Sequence, residues 1–174
     1  HLYFHGIEGA GVRPPEPAHC PERTLLTYGT SITHGASATR AHLSYASLTA
    51  RRLGMNLVNL GVGGSCHAEP DFADYIAGRG DWDIAVLALS VNMIGAGFTA
   101  DRFYERVEYM VTRVAGAHTT AHVFCVTLYP HFRDLIPGMR MPGDEATPEE
   151  FRAALTEAVE VCDGENVHLV PGEE

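Results

Sequence analysis

A chain of 174 residues, 45% hydrophobic and 20% charged, has room for one domain with a sizeable core and not for two. Its formal net charge of -10 and pI near 5.4 argue against a nucleic-acid partner, which needs clustered cations to displace counterions from phosphates. No apolar run reaches the length of a membrane span and no basic-then-apolar leader opens the chain, while a start at His1 leaves the compartment open between cytoplasm and exterior.

Residues 1–9 (HLYFHGIEG) read as the last strand of a preceding unit, and residues 11–22, with four prolines in twelve residues, as a linker or extended strap. Residues 1–22 are therefore set apart from a domain over 23–174. That domain opens with the buried strand TLLTYG (24–29) and a polar turn, and a helix follows in which Ser44 caps SYASLTARRL and Gly54 ends it. NLVNLG (56–61) is a second strand. DIAVLALS (83–90) is a third, apolar enough to be covered on both faces. Thr99 caps the next helix, whose Phe103, Val107, Met110, Val111 and Val114 recur on one face.

AHVFCVTLY (121–129) is the fourth strand, and residues 130–146 form a long loop of the kind that is usually functional or mobile. Thr147-Pro148-Glu149-Glu150 combines a cap, a proline at the first helical position and a capping-box glutamate. Phe151, Ala154, Leu155, Ala158 and Val161 give that helix its buried face, and NVHLV (166–170) is the fifth strand. Strands alternating with helices imply an α/β domain, three-layer α/β/α, because parallel strands need crossovers and the crossovers cover the sheet. Cys20, Cys66, Cys125 and Cys162 have no CxxC or His/Cys metal spacing and read as separate thiols, and no metal or organic cofactor is implied.

In an open parallel sheet, ligands bind beyond the carboxyl ends of the strands. The residues there are Gly29-Thr30-Ser31-Ile32-Thr33, Gly61-Val62-Gly63-Gly64-Ser65, Ser90-Val91-Asn92-Met93 and Tyr129-Pro130-His131. One edge thus carries a hydroxyl, close-approach glycines, a carboxamide and an imidazole. Each has a plainer reading. Ser31 could cap a helix, the glycines could form a phosphate-binding turn although GVGGS lacks the GxGxxG spacing, and Asn92 could be a turn residue.

Together these blocks resemble the SGNH (GDSL-type) hydrolase family over residues 24–170. GTSIT resembles its first block with Ser31 as nucleophile, NLGVGG its second with Gly64 as the oxyanion-hole glycine, and LSVN its third with Asn92 as the oxyanion asparagine. The resemblance implies a flavodoxin-like, parallel five-stranded sheet in the order 2-1-3-4-5. Two positions depart from the pattern: Thr30 stands where an acidic residue is usual, and Met93 where an aspartate follows the asparagine. The Asp-x-x-His block is not found after Asn166, so the catalytic Asp and His are expected beyond Glu174 and the domain is read as C-terminally incomplete.

The chemistry implied is a serine ester hydrolase acting through a Ser31 acyl-enzyme on a small polar or carbohydrate ester. A serine hydroxyl needs an imidazole to take its proton, and the oxyanion needs donors already aimed at it. The backbone N–H groups of Ser31 and Gly64 and the Asn92 amide are the candidates. An acyltransferase of the same family, and a non-catalytic flavodoxin-like binding domain or pseudoenzyme, are the alternatives. Thr30, His67, Met93 and His131 are further candidates for lining the substrate site, with His67 or His131 the alternative base. His34 is expected to face away and His168 to be structural. The linker suggests a β-rich accessory domain upstream, and the oligomeric state is left open. A doubly wound sheet lacking its last helix exposes side chains at roughly 1.5–3 kcal/mol each, so a chain ending at Glu174 is expected to be marginal, self-associating or inactive.

Overall fold

The computed structural model describes residues 5–136 and 138–173. Strands β1 (Thr24–Gly29), β2 (Asn56–Gly61), β3 (Ile84–Ala88), β4 (His122–Val126) and β5 (Val167–Val170) form one sheet in the order β2-β1-β3-β4-β5, and every neighbouring pair is parallel. This is the α/β arrangement that the alternation and the resemblance imply. The ladders are shorter than the apolar runs suggest. Leu89 and Ser90 leave β3, and Thr127 to Tyr129 leave β4, because the chain turns there toward the edge where ligands bind.

Among the described residues six α-helices connect the strands: α1 (Ser31–His34), α2 (Tyr45–Leu53), α3 (Pro70–Gly78), α4 (Val91–Ile94), α5 (Ala100–Ala117) and α6 (Pro148–Cys162). Their ends follow local chemistry. The Ser44 hydroxyl accepts the Ser47 N–H and Thr99 the Arg102 N–H, while Thr147 and Glu150 form a reciprocal capping box. Helix α3 has no counterpart in the sequence reading. Val161, expected on the buried face of α6, is 58% exposed, because that face continues from Ala158 to Cys162, which packs against the core, and Val161 lies one residue off it.

Alternation along the strands divides the core into two faces. Leu26, Tyr28, Ala85, Leu87, Val123 and Cys125 share one cluster with residues of α3, α5 and α6, including Phe103 tilted against Phe151 with ring centres 4.4 Å apart. Each large side chain buried there contributes roughly 1.5–3 kcal/mol. On the other face Leu25 packs with Ala50 of α2 and Met55, and Leu57, Ile84 and Val86 are only partly buried. The expectation that β3 is covered on both faces is thus met on one side only.

Residues 5–23 are almost wholly exposed, with a single helical turn at Pro17–His19. The strand read over residues 1–9 falls partly on residues 1–4, which lie outside the described residues, and residues 5–9 carry no strand. The four cysteines are free, Cys66 and Cys125 buried and Cys20 exposed.

Candidate active site

Ser31 is the first residue of α1, and its half-buried side chain sits at the carboxyl edge of β1. Thr30 caps the helix by accepting the Ile32 N–H at 3.2 Å, while the Ser31 N–H, first in the helix, has no intrahelical acceptor. The Ser31 carbonyl takes the N–H groups of Gly35 and Ala36, both at 2.9 Å, which fixes the nucleophile turn on a left-handed Gly35. Helix α1 lies directly against the ends of β1 and β2. A Cβ on Gly29 would collide with the Thr33 hydroxyl, and one on Gly61 with the backbone of His34. Asn59 holds the same junction, its amide donating to the Thr33 carbonyl at 2.9 Å while its Oδ1 accepts the Gly61 N–H at 2.9 Å.

The loop after β2 then passes over Ser31. A Cβ placed on Gly63 would stand 3.9 Å from that of Ser31, and Gly64 turns at φ 75°, a conformation in which glycine avoids the Cβ penalty. Asn92, on α4, is half-buried, and its Oδ1 accepts the Cys66 N–H at 3.2 Å. Because a backbone N–H can only donate, this bond settles the amide's orientation and leaves both Nδ2 hydrogens for another acceptor. Ser90, just before α4, is buried at φ 100°, a costly backbone for a residue with a Cβ.

Of the residues expected to line a substrate site, Thr30 and Met93 do not. Thr30 is 2% exposed with its hydroxyl spent on the cap, and Met93 is fully buried in the core cluster. Both support the site from beneath. His67 sits on the loop after β2 with Nδ1 3.8 Å from Glu69 Oε1 and its ring against Phe98, and its Nε2 is buried without a hydrogen-bond partner among the described residues. His131 caps the turn Phe132–Leu135, its Nδ1 accepting the Arg133 N–H at 3.3 Å, so the lone pair a base would use is already engaged. Burial, and then the Arg133 guanidinium, lower its pKa below the usual 6.5. His34 is exposed at the end of α1, and His168 lies in β5 with Nε2 2.9 Å from His122 Nδ1. Among the described residues no imidazole is hydrogen-bonded to Ser31.

Ser31 opens on a pocket of about 280 Å³ shared with Ile32, Gly35, Leu43, Ser44 and Tyr45. The long loop after β4 is tied down at both ends of its course. Arg133 forms a two-pronged pair with Asp144, and Arg152 of α6 holds Asp134 through two bonds of 2.8 Å while donating to the carbonyls of Leu128 and Tyr129. Among the described residues no group of three or more His, Cys, Asp or Glu could hold a metal ion, and no helix is long and apolar enough to cross a membrane.

A model of the GDSL-like lipase/acylhydrolase family matches residues 22–167. No curated protein matches the sequence. Among solved structures, the chain is similar to a salicylyl-acyltransferase, SsfX3, from a tetracycline biosynthetic pathway (TM-score 0.75, 22% identity, 87% of this chain and 43% of that one). It is also similar to a GDSL-like lipase from Bacteroides ovatus (0.70, 23%, 87% and 43%) and to a family two carbohydrate esterase from Clostridium thermocellum (0.68, 18%, 93% and 56%). The chain spans less than half the length of the first two. At these identities the likeness is one of fold.

Proposed function

The chain belongs to the GDSL-like lipase/acylhydrolase family, and from that premise we propose that it carries the nucleophile and oxyanion half of a serine ester hydrolase site. Ser31 attacks the acyl carbonyl. The Ser31 and Gly64 N–H groups and the Asn92 Nδ2 hydrogens stabilise the oxyanion of the tetrahedral intermediate, which collapses to an acyl-enzyme as the alcohol leaves. Water then releases the acid. The base that takes the Ser31 proton is proposed to come from the family's Asp-x-x-His block, a spacing absent from residues 1–174. One observation carries this reading: the Cys66 N–H to Asn92 Oδ1 bond, which ties the carboxamide of α4 to the loop that passes over Ser31 and leaves its Nδ2 hydrogens to donate elsewhere.

For substrate, the reading is a small polar or carbohydrate ester. Its support is the modest pocket beside Ser31 and the carbohydrate esterase among the structural neighbours. Transfer to an alcohol acceptor is the variant that the acyltransferase neighbour favours, and it differs only in which nucleophile collects the acyl group. The test is to treat the full-length protein and its Ser31→Ala variant with a serine-directed fluorophosphonate, then to follow p-nitrophenyl acetate with and without added alcohols. Labelling confined to Ser31 and esterase turnover lost in the variant are expected. An unlabelled full-length protein would overturn the reading, and flavin or nucleotide binding would replace it with a binding module.

A further inference from the structure

We infer that Glu69 is a positioning residue for the oxyanion donors, holding the loop over Ser31 so that the Cys66 N–H keeps the Asn92 amide aimed. The inference rests on the acyl-transfer reading above. Glu69 occupies the cap position of α3, where a side-chain oxygen can accept an N–H of the first turn. It makes no such bond. Instead its carboxylate turns back beneath the loop, where Oε2 accepts the Tyr28 hydroxyl at 3.1 Å and the His67 N–H at 3.3 Å.

Two parts of the site, β1 and the loop, meet at this one carboxylate. Tyr28 is fully buried in β1, three residues before Ser31, and its ring stacks on Phe72 of α3 with centres 4.9 Å apart. His67 belongs to the loop itself, next to Cys66, whose N–H is the donor to Asn92. Between His67 and Glu69 the chain passes through Ala68, fully buried at φ 48°. A non-glycine residue in that region is strained and persists only where its neighbours hold it. The Glu69 bonds on either side of Ala68 provide that hold. Without them the loop can relax, the Cys66 N–H withdraws, and the Asn92 amide turns freely. A misaimed donor loses part of the roughly hundred- to thousandfold rate factor that one oxyanion donor carries.

The test uses the full-length protein with Glu69→Leu, Glu69→Gln and the milder Tyr28→Phe, which removes one oxygen and leaves the packing in place. Glu69→Leu is expected to lower kcat on p-nitrophenyl acetate, and the rate of Ser31 labelling, at least tenfold with KM within threefold. Glu69→Gln, which keeps an acceptor, should restore most of the rate, and Tyr28→Phe should fall between. In an Asn92→Ala background Glu69→Leu should cost less than threefold, because the amide it aims is gone. The same tenfold loss in both backgrounds, or none in either, would overturn the role. Hydrogen exchange of the Cys66 amide reads the hold without reference to activity. It should quicken at least tenfold in Glu69→Leu even if the wild-type protein proves unlabelled and the acyl-transfer reading falls, and unchanged exchange would refute the inference.

Discussion

At Gly61 the fold and the candidate site meet in one missing methyl. The backbone of His34 occupies the space a Cβ would need, so Gly61→Ala must push α1, and with it Ser31, away from β2. Overpacking of this kind costs about 1–3 kcal/mol, and urea denaturation should show it. Gly116→Ala is the contrast: its Cβ meets nothing within 4 Å in a helix, so the same experiment should show a gain of roughly 0.5–1 kcal/mol. Asn92→Ala belongs to the same scale. Losing one oxyanion donor should lower kcat by about two to three orders of magnitude with KM little changed. The candidate residues themselves could be read from strand-end motifs, since Ser31, Gly64 and Asn92 follow β1, β2 and β3 in turn. What aims them could not. The Cys66 donor is a backbone group with no compositional signature, and Glu69 meets Tyr28 across 41 residues of sequence, a pairing that only the fold creates.

Among the elements, the loop after β4 departs furthest from what its prolines and glycines suggest. Its Asp144 side chain is 2% exposed and accepts from Arg133 and from the Met141 N–H at 2.7 Å, so the segment is fastened by charge-assisted bonds. Arg133→Ala should cost about 1.5–3 kcal/mol, the usual worth of hydrogen bonds to a charged group. Acid should undo the same fastening. Arg133 holds the Asp144 carboxyl, and Arg152 the Asp134 carboxyl, below the usual 3.8, while burial lowers His131 below 6.5. Each group binds a proton less readily folded than unfolded, so its contribution is complete above the unfolded value and is lost as pH falls through the folded one. Exchange protection of the Met141 amide should therefore be flat above about pH 7. It should weaken slightly as His131 titrates and steeply below the ordinary carboxylate range; constant protection down to pH 3 would contradict the scheme. Helix α3 escaped the sequence reading for a related reason. Its buried face is Ala73, Ile76 and Ala77, a single large side chain between two alanines that gives little periodic signal, whereas α5 buries Phe103, Val107 and Met110 on one face.

For the whole molecule, the parallel winding followed from strands alternating with helices and the strand order from the family resemblance, yet alternation alone could not show that the two sheet faces are unequally covered. Residues of β3 make the comparison cleanly, because neighbours in one strand point to opposite faces. Leu87 is fully buried against α3 and α5, whereas Val86, beside it, is only partly buried on the face that also carries Phe124, paired with it across β4, and the His122–His168 contact. Removing a fully buried leucine leaves a cavity as well as losing transfer energy, so Leu87→Ala should cost about 3 kcal/mol. Val86→Ala removes about two methylene equivalents that water already reaches in part, and should cost at most about 1 kcal/mol. The same contrast is expected between Phe103→Ala, at about 3–5 kcal/mol, and Phe124→Ala, at well under half of that. Urea midpoints of the four variants decide it. Equal losses on both faces would mean that the β3–β5 face is covered in solution, and the stability of the sheet would then have to be shared evenly between its two sides.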